Sequence, residues 1–358
     1  MAIFDDSIGT QMQEKMQENM SEYERRAWSS VLDNERRRRN GLGSRVANQV
    51  ARVTKLAGAQ VRKIPGAGKA LEIGDETILK GLEGGFKAIF LPAVRSASLE
   101  QRVEKLRRKH PDLDEKSPFA SLDLKDLDKG RPTLTIPFLG VLESGLASVA
   151  VTGATVSTTV SGGTTAGVAV LAVASDTVAS LALLGRAVAE VAVHYGYDPR
   201  EPEEELFLMG VLNYSMASSS TSKTAALASL SRLTQQMMRR TTWEKLGKEP
   251  LVKVLLQIFK LLGVRLTKAR LAQVVPIAGG IVAAGLSFTM LHSAIDDATR
   301  LYRARYLAEK HGLSWEEWIN ESAATVDVEA DSVVDATAVE IDGLLDGVSA
   351  GKDGSDVA

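Results

Sequence analysis

Thirty-two consecutive positions, from Ser144 to Ser175, carry no formal charge. A run of that length needs a non-aqueous surround, either a protein interior or a bilayer. Its composition narrows the choice. It is built from Gly, Ala, Val, Ser and Thr, almost without Leu, Ile or Phe. Val151 to Val160 is rich in β-branched residues, which favour strand locally. Gly162-Gly163 breaks a helix. The pattern predicts a hairpin, with one arm over Pro137–Ser161, a Gly-rich turn, and a second arm over Thr165–His194. Small residues let two such backbones approach closely. Asp176 and Arg186 fall in the second arm, and a charge at bilayer centre costs at least about 2.5–3.5 kcal/mol. The expectation is therefore a hairpin buried in protein or dipping into one leaflet, rather than two regular spans.

A second uncharged run lies between Arg270 and Asp296. Pro276 starts or kinks a helix there, and Gly280 and Ala284 form a small-x-x-x-small contact pair. From Asp296 to Lys310 the pattern is an amphipathic, Arg-containing helix that ends at His311-Gly312. Upstream, Met12, Met16, Met20, Tyr23, Ala27 and Val31 recur at helical spacing and form one face. The basic run Arg36-Arg37-Arg38-Arg39 follows, closed by Asn40-Gly41. Such a helix packs on the body, or touches anionic lipid through its arginines. No aromatic interleaving accompanies the run, so no nucleic acid is expected. No secretory signal is expected either, because residues 1–40 are polar. Val46, Val50, Val53, Ala57 and Val61 give a second stripe. Leu71–Val94 and Leu99–Lys109 read as further helices. Ser121–Gly130, acidic and alternating, reads as a solvated connector or a short helical turn.

The sequence carries few signatures of chemistry. There is no cysteine, which excludes disulfides, thiolate metal sites and a Cys nucleophile. His110, His194, His292 and His311 have no second ligand at metal spacing. Gly68-Lys69 resembles a phosphate loop, but Lys63 and Ala70 occupy positions that need Gly and a hydroxyl. No Gly-x-Ser-x-Gly elbow or dinucleotide fingerprint occurs. The expectation is no catalytic residue, no metal and no cofactor. A hydrolase with a dispersed site stays open as an alternative.

The centre of the chain carries a recognisable set of residues. Asp176 is followed ten positions on by Arg186, then by Tyr195-Gly196-Tyr197-Asp198-Pro199, Glu201-Pro202 and an apolar helix from Leu206. Downstream come Lys268, Pro276 and Gly279, and the basic aromatic helix Arg300-x-Tyr302-Arg303-x-Arg305-Tyr306. This set resembles the EcsC protein family over roughly residues 70–312. The founding member of that family is encoded beside the two components of a bacterial ABC transporter. The resemblance therefore implies a membrane-proximal accessory protein and names no reaction. Physically, Tyr195–Pro199 is a helix stop: Gly196 takes the left-handed position, Asp198 forms an Asx turn, and Pro199 cannot continue the helix. Glu203–Glu205 then favour the next helix N-terminus. One hypothesis is that Asp176, Arg186, Asp198 and Lys268 form a polar pocket for an anionic headgroup.

The fold class expected is all-α, a multi-helix bundle with Gly/Ala-rich apolar helical hairpins. The expected division is a basic N-terminal helix over 1–40, a helical body over 41–320 and an acidic disordered tail over 321–358. The formal charge of −2 hides that division. Residues 321–358 hold ten acidic side chains and one lysine, while residues 1–320 carry a net +7. The function expected is a membrane-associated accessory or adaptor protein, cytoplasmic and peripheral to the inner face of the cell membrane. Its expected partners are anionic lipid or a membrane transporter component. The alternative class is a soluble helical scaffold that binds a protein partner.

Overall fold

The structure is a computed structural model, and it describes residues 19–30, 78–114, 118–131, 165–217, parts of 223–234, 248–271 and 282–313. Of these residues 81 % are helical and none is in a strand, so the chain is all-α as its periodicity predicts. The elements in order are α1 (22–30), α2 (78–95), α3 (Leu99–Lys109), α4 (Leu124–Asp128), α5 (Thr165–His194), α6 (Pro202–Met216), α7 (Lys248–Leu271) and α8 (Val282–His311).

Helix α5 is the second arm of the expected hairpin, and it occupies the centre. It packs against α2, α3, α6, α7 and α8. By length and composition Ser175–His194 could cross a membrane, yet 72 % of its best apolar window is buried inside the protein. The first arm, the Gly162-Gly163 turn and the Pro276–Gly279 segment lie outside the described residues. So do Arg36–Arg39 and the expected boundaries at 40 and 320.

Small residues set how closely the helices approach. A Cβ on Gly85 would sit 2.6 Å from Val178, and one on Gly185 would sit 2.6 Å from the Phe90 ring. No real side chain tolerates such contacts, so α2 and α5 cross nearly backbone to backbone. Helix α2 widens into a π-helical segment over Phe86–Phe90. Pro92 has no amide hydrogen to give Ala88, and the wider turn before it accommodates the missing bond. The segment directs Phe86 and Phe90 onto Phe259 of α7, with ring centroids 5.2 and 4.8 Å away. Leu82, Phe86, Phe90, Leu181, Phe207 and Phe259 are all fully enclosed.

Both 30-residue helices, α5 and α8, stop in the same way. Gly196 (φ +97°) and Gly312 (φ +67°) take the left-handed conformation. Tyr197 N donates to Ala192 O at 3.0 Å, and Leu313 N donates to Ala308 O at 3.0 Å. These are the long bonds of Schellman caps. Each cap folds the following apolar side chain, Tyr197 or Leu313, back onto the core.

Candidate functional site

Helix α8 is ringed by buried ion pairs. Its last turns present Asp297, Arg303, Arg305, Tyr306, Lys310 and His311 to four other segments. Each contact begins with a local sequence device. Helix α1 opens on a capping box: Glu24 N donates to Ser21 Oγ at 3.2 Å, and Ser21 N donates back to Glu24 Oε2 at 3.3 Å. That box fixes the Glu24 carboxylate, which is 3 % exposed, against α8. Glu24 then accepts from Lys310 Nζ at 2.8 Å, from His311 Nε2 at 3.0 Å and from the Leu124 amide at 3.1 Å. Burial alone would push this carboxyl up. The Lys310 ammonium and the backbone amides outweigh burial and hold it below the usual carboxylate range.

Asp128, at the end of α4, is the second node. Its carboxylate is 5 % exposed. It accepts from Tyr23 Oη and Tyr195 Oη at 2.7 Å each, and from Arg303 at 2.6 Å. Four segments thus meet on one side chain. Desolvation raises Tyr195 well above its ordinary value, so its hydroxyl is a fixed donor to Asp128. The expectation of a solvated connector at 121–130 is corrected here in part. A short helix does form, but Leu122, Leu124 and Leu127 are in the core and Asp128 is a buried junction. Alternation hid this, because leucine every two or three residues in a five-residue helix buries one face and leaves the lysines outside.

The third node is Glu204 with Arg305. The two guanidinium nitrogens reach the carboxylate at 2.7 and 2.5 Å, in a fork geometry. Arg305 Nε also donates to Glu309 at 2.8 Å, and Tyr197 Oη donates to the other Glu309 oxygen at 3.0 Å. The guanidinium lies between the rings of Tyr197 and Phe207, 4.1 and 4.5 Å from their centroids. Burial pushes the Glu204 carboxyl up, and the Arg305 charge opposes it. Beside them Glu205 pairs with Arg95, and Asp297 is held by Arg300 and by Lys223 at 3.1 Å. Glu204 and Glu205 therefore do more than favour a helix dipole. They are charge partners inside a helix that is buried from Glu204 to Tyr214.

The residues singled out from the sequence fall in several places. Tyr195, Gly196 and Tyr197 form the α5 cap and face the Asp128 and Glu309 nodes. Arg200 N donates to Asp198 Oδ1 at 3.0 Å, the expected Asx turn, and the Arg200 guanidinium bridges Asp198 to Glu100 of α3. Arg186 pairs with Glu190 and Ser96. Arg186 and Asp198 therefore take different partners. Asp176 is exposed, with partners of its own, and the Lys268 side chain lies outside the described residues. His194 donates through Nε2 to Leu127 O at 2.7 Å. Burial lowers its pKa to about 4, with the Arg102 charge adding to the effect. Glu24, Asp128 and Arg102 were not singled out as site residues, and Glu204 and Arg305, though both stand in the recognised segments, were not read as partners. A signal existed for two of them: Ser21-x-x-Glu24 is a capping-box spacing, and the sequence around Glu204-Glu205 leaves no polar face on which to expose them.

Comparison with known proteins bears out the resemblance. Residues 132–307 match the model of the EcsC protein family. These residues are an EcsC-family region of the chain. A relative named Uncharacterized protein YdbA, from Bacillus subtilis (strain 168), is 29 % identical over 155 residues, 42 % of this chain and 53 % of that protein. The chain thus spans about half the length of that relative. No solved structure matches. The family match begins at residue 132, later than the 70–312 read from the sequence. The EcsC region therefore contributes α5 to α8 up to residue 307, while α1 to α4 precede it. Glu24 and Asp128, which lock the EcsC helices α5 and α8, come from outside the matched region.

Proposed function

We propose that this EcsC protein is an accessory or adaptor module that works at the cytoplasmic face of a membrane, binding anionic lipid or a membrane transporter component through its basic surface. The observation that carries the reading is charge segregation. The first 320 residues hold a net +7, and the last 38 hold ten acids against one lysine. The exposed end of α3 adds to it: Lys105, Arg107, Arg108 and Lys109 are all on the surface. A basic body of this kind is attracted to anionic headgroups at about 1 kcal/mol per cation near the surface. Helix α5 is already covered by protein, so contact falls to the surface and to segments outside the described residues. The acidic tail competes with lipid for the same basic face. Sedimentation with vesicles of phosphatidylcholine with and without anionic lipid tests the reading. Binding should need anionic lipid, should weaken with salt, and should strengthen when residues 321–358 are removed. Equal recovery with neutral and anionic vesicles would sink it.

A soluble scaffold that binds a protein partner is the second reading. It is favoured by the burial of α5, the one described helix apolar enough to span. Wholly soluble recovery at low salt, with every vesicle composition, would select it.

A further inference from the structure

Around Gly130 the structure gathers positive charge without matching acid. The Arg102 Nη1 atom lies 3.9 Å from where a Gly130 Cβ would be, and His194 Cε1 lies 3.8 Å from the same point. Arg131 is the next residue. It is exposed, as Gly130 is. Arg102 is half-buried, yet its guanidinium makes no ion pair or hydrogen bond among the described residues, and its Nε is enclosed with no acceptor. Burial lowers the Arg102 pKa, as expected for a cation taken out of water without a partner. The nearest carboxylate junction, Asp128, is already occupied by Arg303 and two tyrosine hydroxyls. Arg303 Nε is itself enclosed with no acceptor. The charges of Arg102 and Arg131 both bear on His194, and Asp128, already paired with Arg303, is the carboxylate that opposes them. An enclosed charged donor without an acceptor is costly, and in a native protein it calls for a bound ion or water.

We infer that Arg102 and Arg131, beside the His194 ring and the bare backbone of Gly130, form a binding site for a phosphate-type oxyanion. The site deepens the membrane-surface reading and rests on it for its lipid source. The shared chemistry is a phosphate monoester. A dianion balances the excess of positive charge, and the planar guanidinium of Arg102 suits two-point recognition of its oxygens. Gly130 leaves the approach open, since any side chain there would stand between Arg102 and His194. Two sources present this group: a lipid whose headgroup is a phosphate monoester, or free phosphate.

The test compares full-length wild type with Arg102→Gln, Arg131→Gln and, as a charge-matched control on the same helix, Arg108→Gln. Vesicles hold phosphatidylcholine with either phosphatidic acid or phosphatidylserine at equal surface charge. In parallel, inorganic phosphate is titrated while the melting temperature is followed. The expected result is tighter binding to phosphatidic acid than to phosphatidylserine, a preference lost by about tenfold in Arg102→Gln and kept in Arg108→Gln, which weakens binding to both vesicles alike. Arg131→Gln, at an exposed position, keeps the test decisive if Arg102→Gln fails to fold, and it should lose several-fold. A melting-temperature rise with inorganic phosphate in the wild type, absent in Arg102→Gln, with no vesicle binding, would keep the site, assign it to free phosphate and overturn the membrane reading. A preference for phosphatidic acid that survives in Arg102→Gln, or vesicle binding that falls equally for both lipids in Arg102→Gln, would overturn the site and leave the membrane reading standing. Binding to neither probe would overturn both.

Discussion

Helices α5 and α8 are each 30 residues long, they pack on one another, and both end in a glycine Schellman cap. They hold their neighbours by opposite means. Helix α5 is joined to α2 by the absence of side chains, with Gly85 and Gly185 bringing backbones together over Val178 and Phe90. Helix α8 is joined to α1, α4 and α6 by buried charge, through Glu24, Asp128 and Glu204. The first kind of contact gains dispersion and apolar burial and depends on shape. The second adds little net stability, because desolvation offsets most of the attraction, but losing one partner strands a charge. The central helix is therefore tolerant of polarity changes it never meets and intolerant of volume. The charged helix should behave in the reverse way.

The most severe break should come at the Glu204–Arg305 pair. Arg305→Met leaves Glu204 enclosed without its partner and should cost about 3–5 kcal/mol in urea unfolding. The double variant Glu204→Leu with Arg305→Met should recover most of that loss. If the double variant were no better than the single, the buried ion pairs would be contributing stability of their own, and the contrast with α5 would need revision.

The pH dependence of the same region comes next. Folded His194 titrates at about 4, below its ordinary 6.5. The unfolded chain therefore takes up the proton first. Stability is complete above about pH 6.5 and falls as the pH drops toward about 4, by roughly 3 kcal/mol in all. Glu24 is also lowered, so its contribution is present above the usual carboxylate range and is lost in stronger acid. In His194→Gln the step between pH 6.5 and 4 should flatten, with the Glu24 step retained below it. Thermal melts at half-unit intervals measure both.

On the α5 side, Gly185→Val should destabilise by about 1–3 kcal/mol through overpacking against Phe90 and Val94. Pairing it with Phe90→Ala should restore part of the loss. A change of similar kind on the exposed face of α3 should do almost nothing. The Arg108–Glu104 pair is i,i+4 and mostly exposed, so Arg108→Ala should stay within about 0.5 kcal/mol. Equal losses at the two positions would mean that close backbone approach is not what holds α5.

Much of the helical plan was legible. Leu99–Lys109 has the boundaries its pattern gives, with Ser98 capping the first turn and Arg107–Lys109 in the last. The stop at Tyr195–Pro199 follows from a glycine that tolerates positive φ and a proline that cannot extend the helix. The buried ion pairs were not legible, for a physical reason. A carboxylate is buried only when a cation from a distant segment meets it, and Glu24 and Lys310 are 286 positions apart. Sequence spacing therefore reads 121–130 as a solvated connector or a short helical turn, and the three donors from three segments that enclose Asp128 are visible only in the fold.

By itself, then, the sequence determined the class, the helix ends and the family, since these depend on short-range periodicity, on backbone conformational preference and on a compact set of residues around Tyr195–Pro199. Only the tertiary structure decided the setting of the helix that follows the uncharged stretch. Ser175–His194 of α5 has the length and apolarity of a spanning helix, and the difference lies in what surrounds it. Five other helices cover it, so the burial that a bilayer could have provided is supplied by the protein.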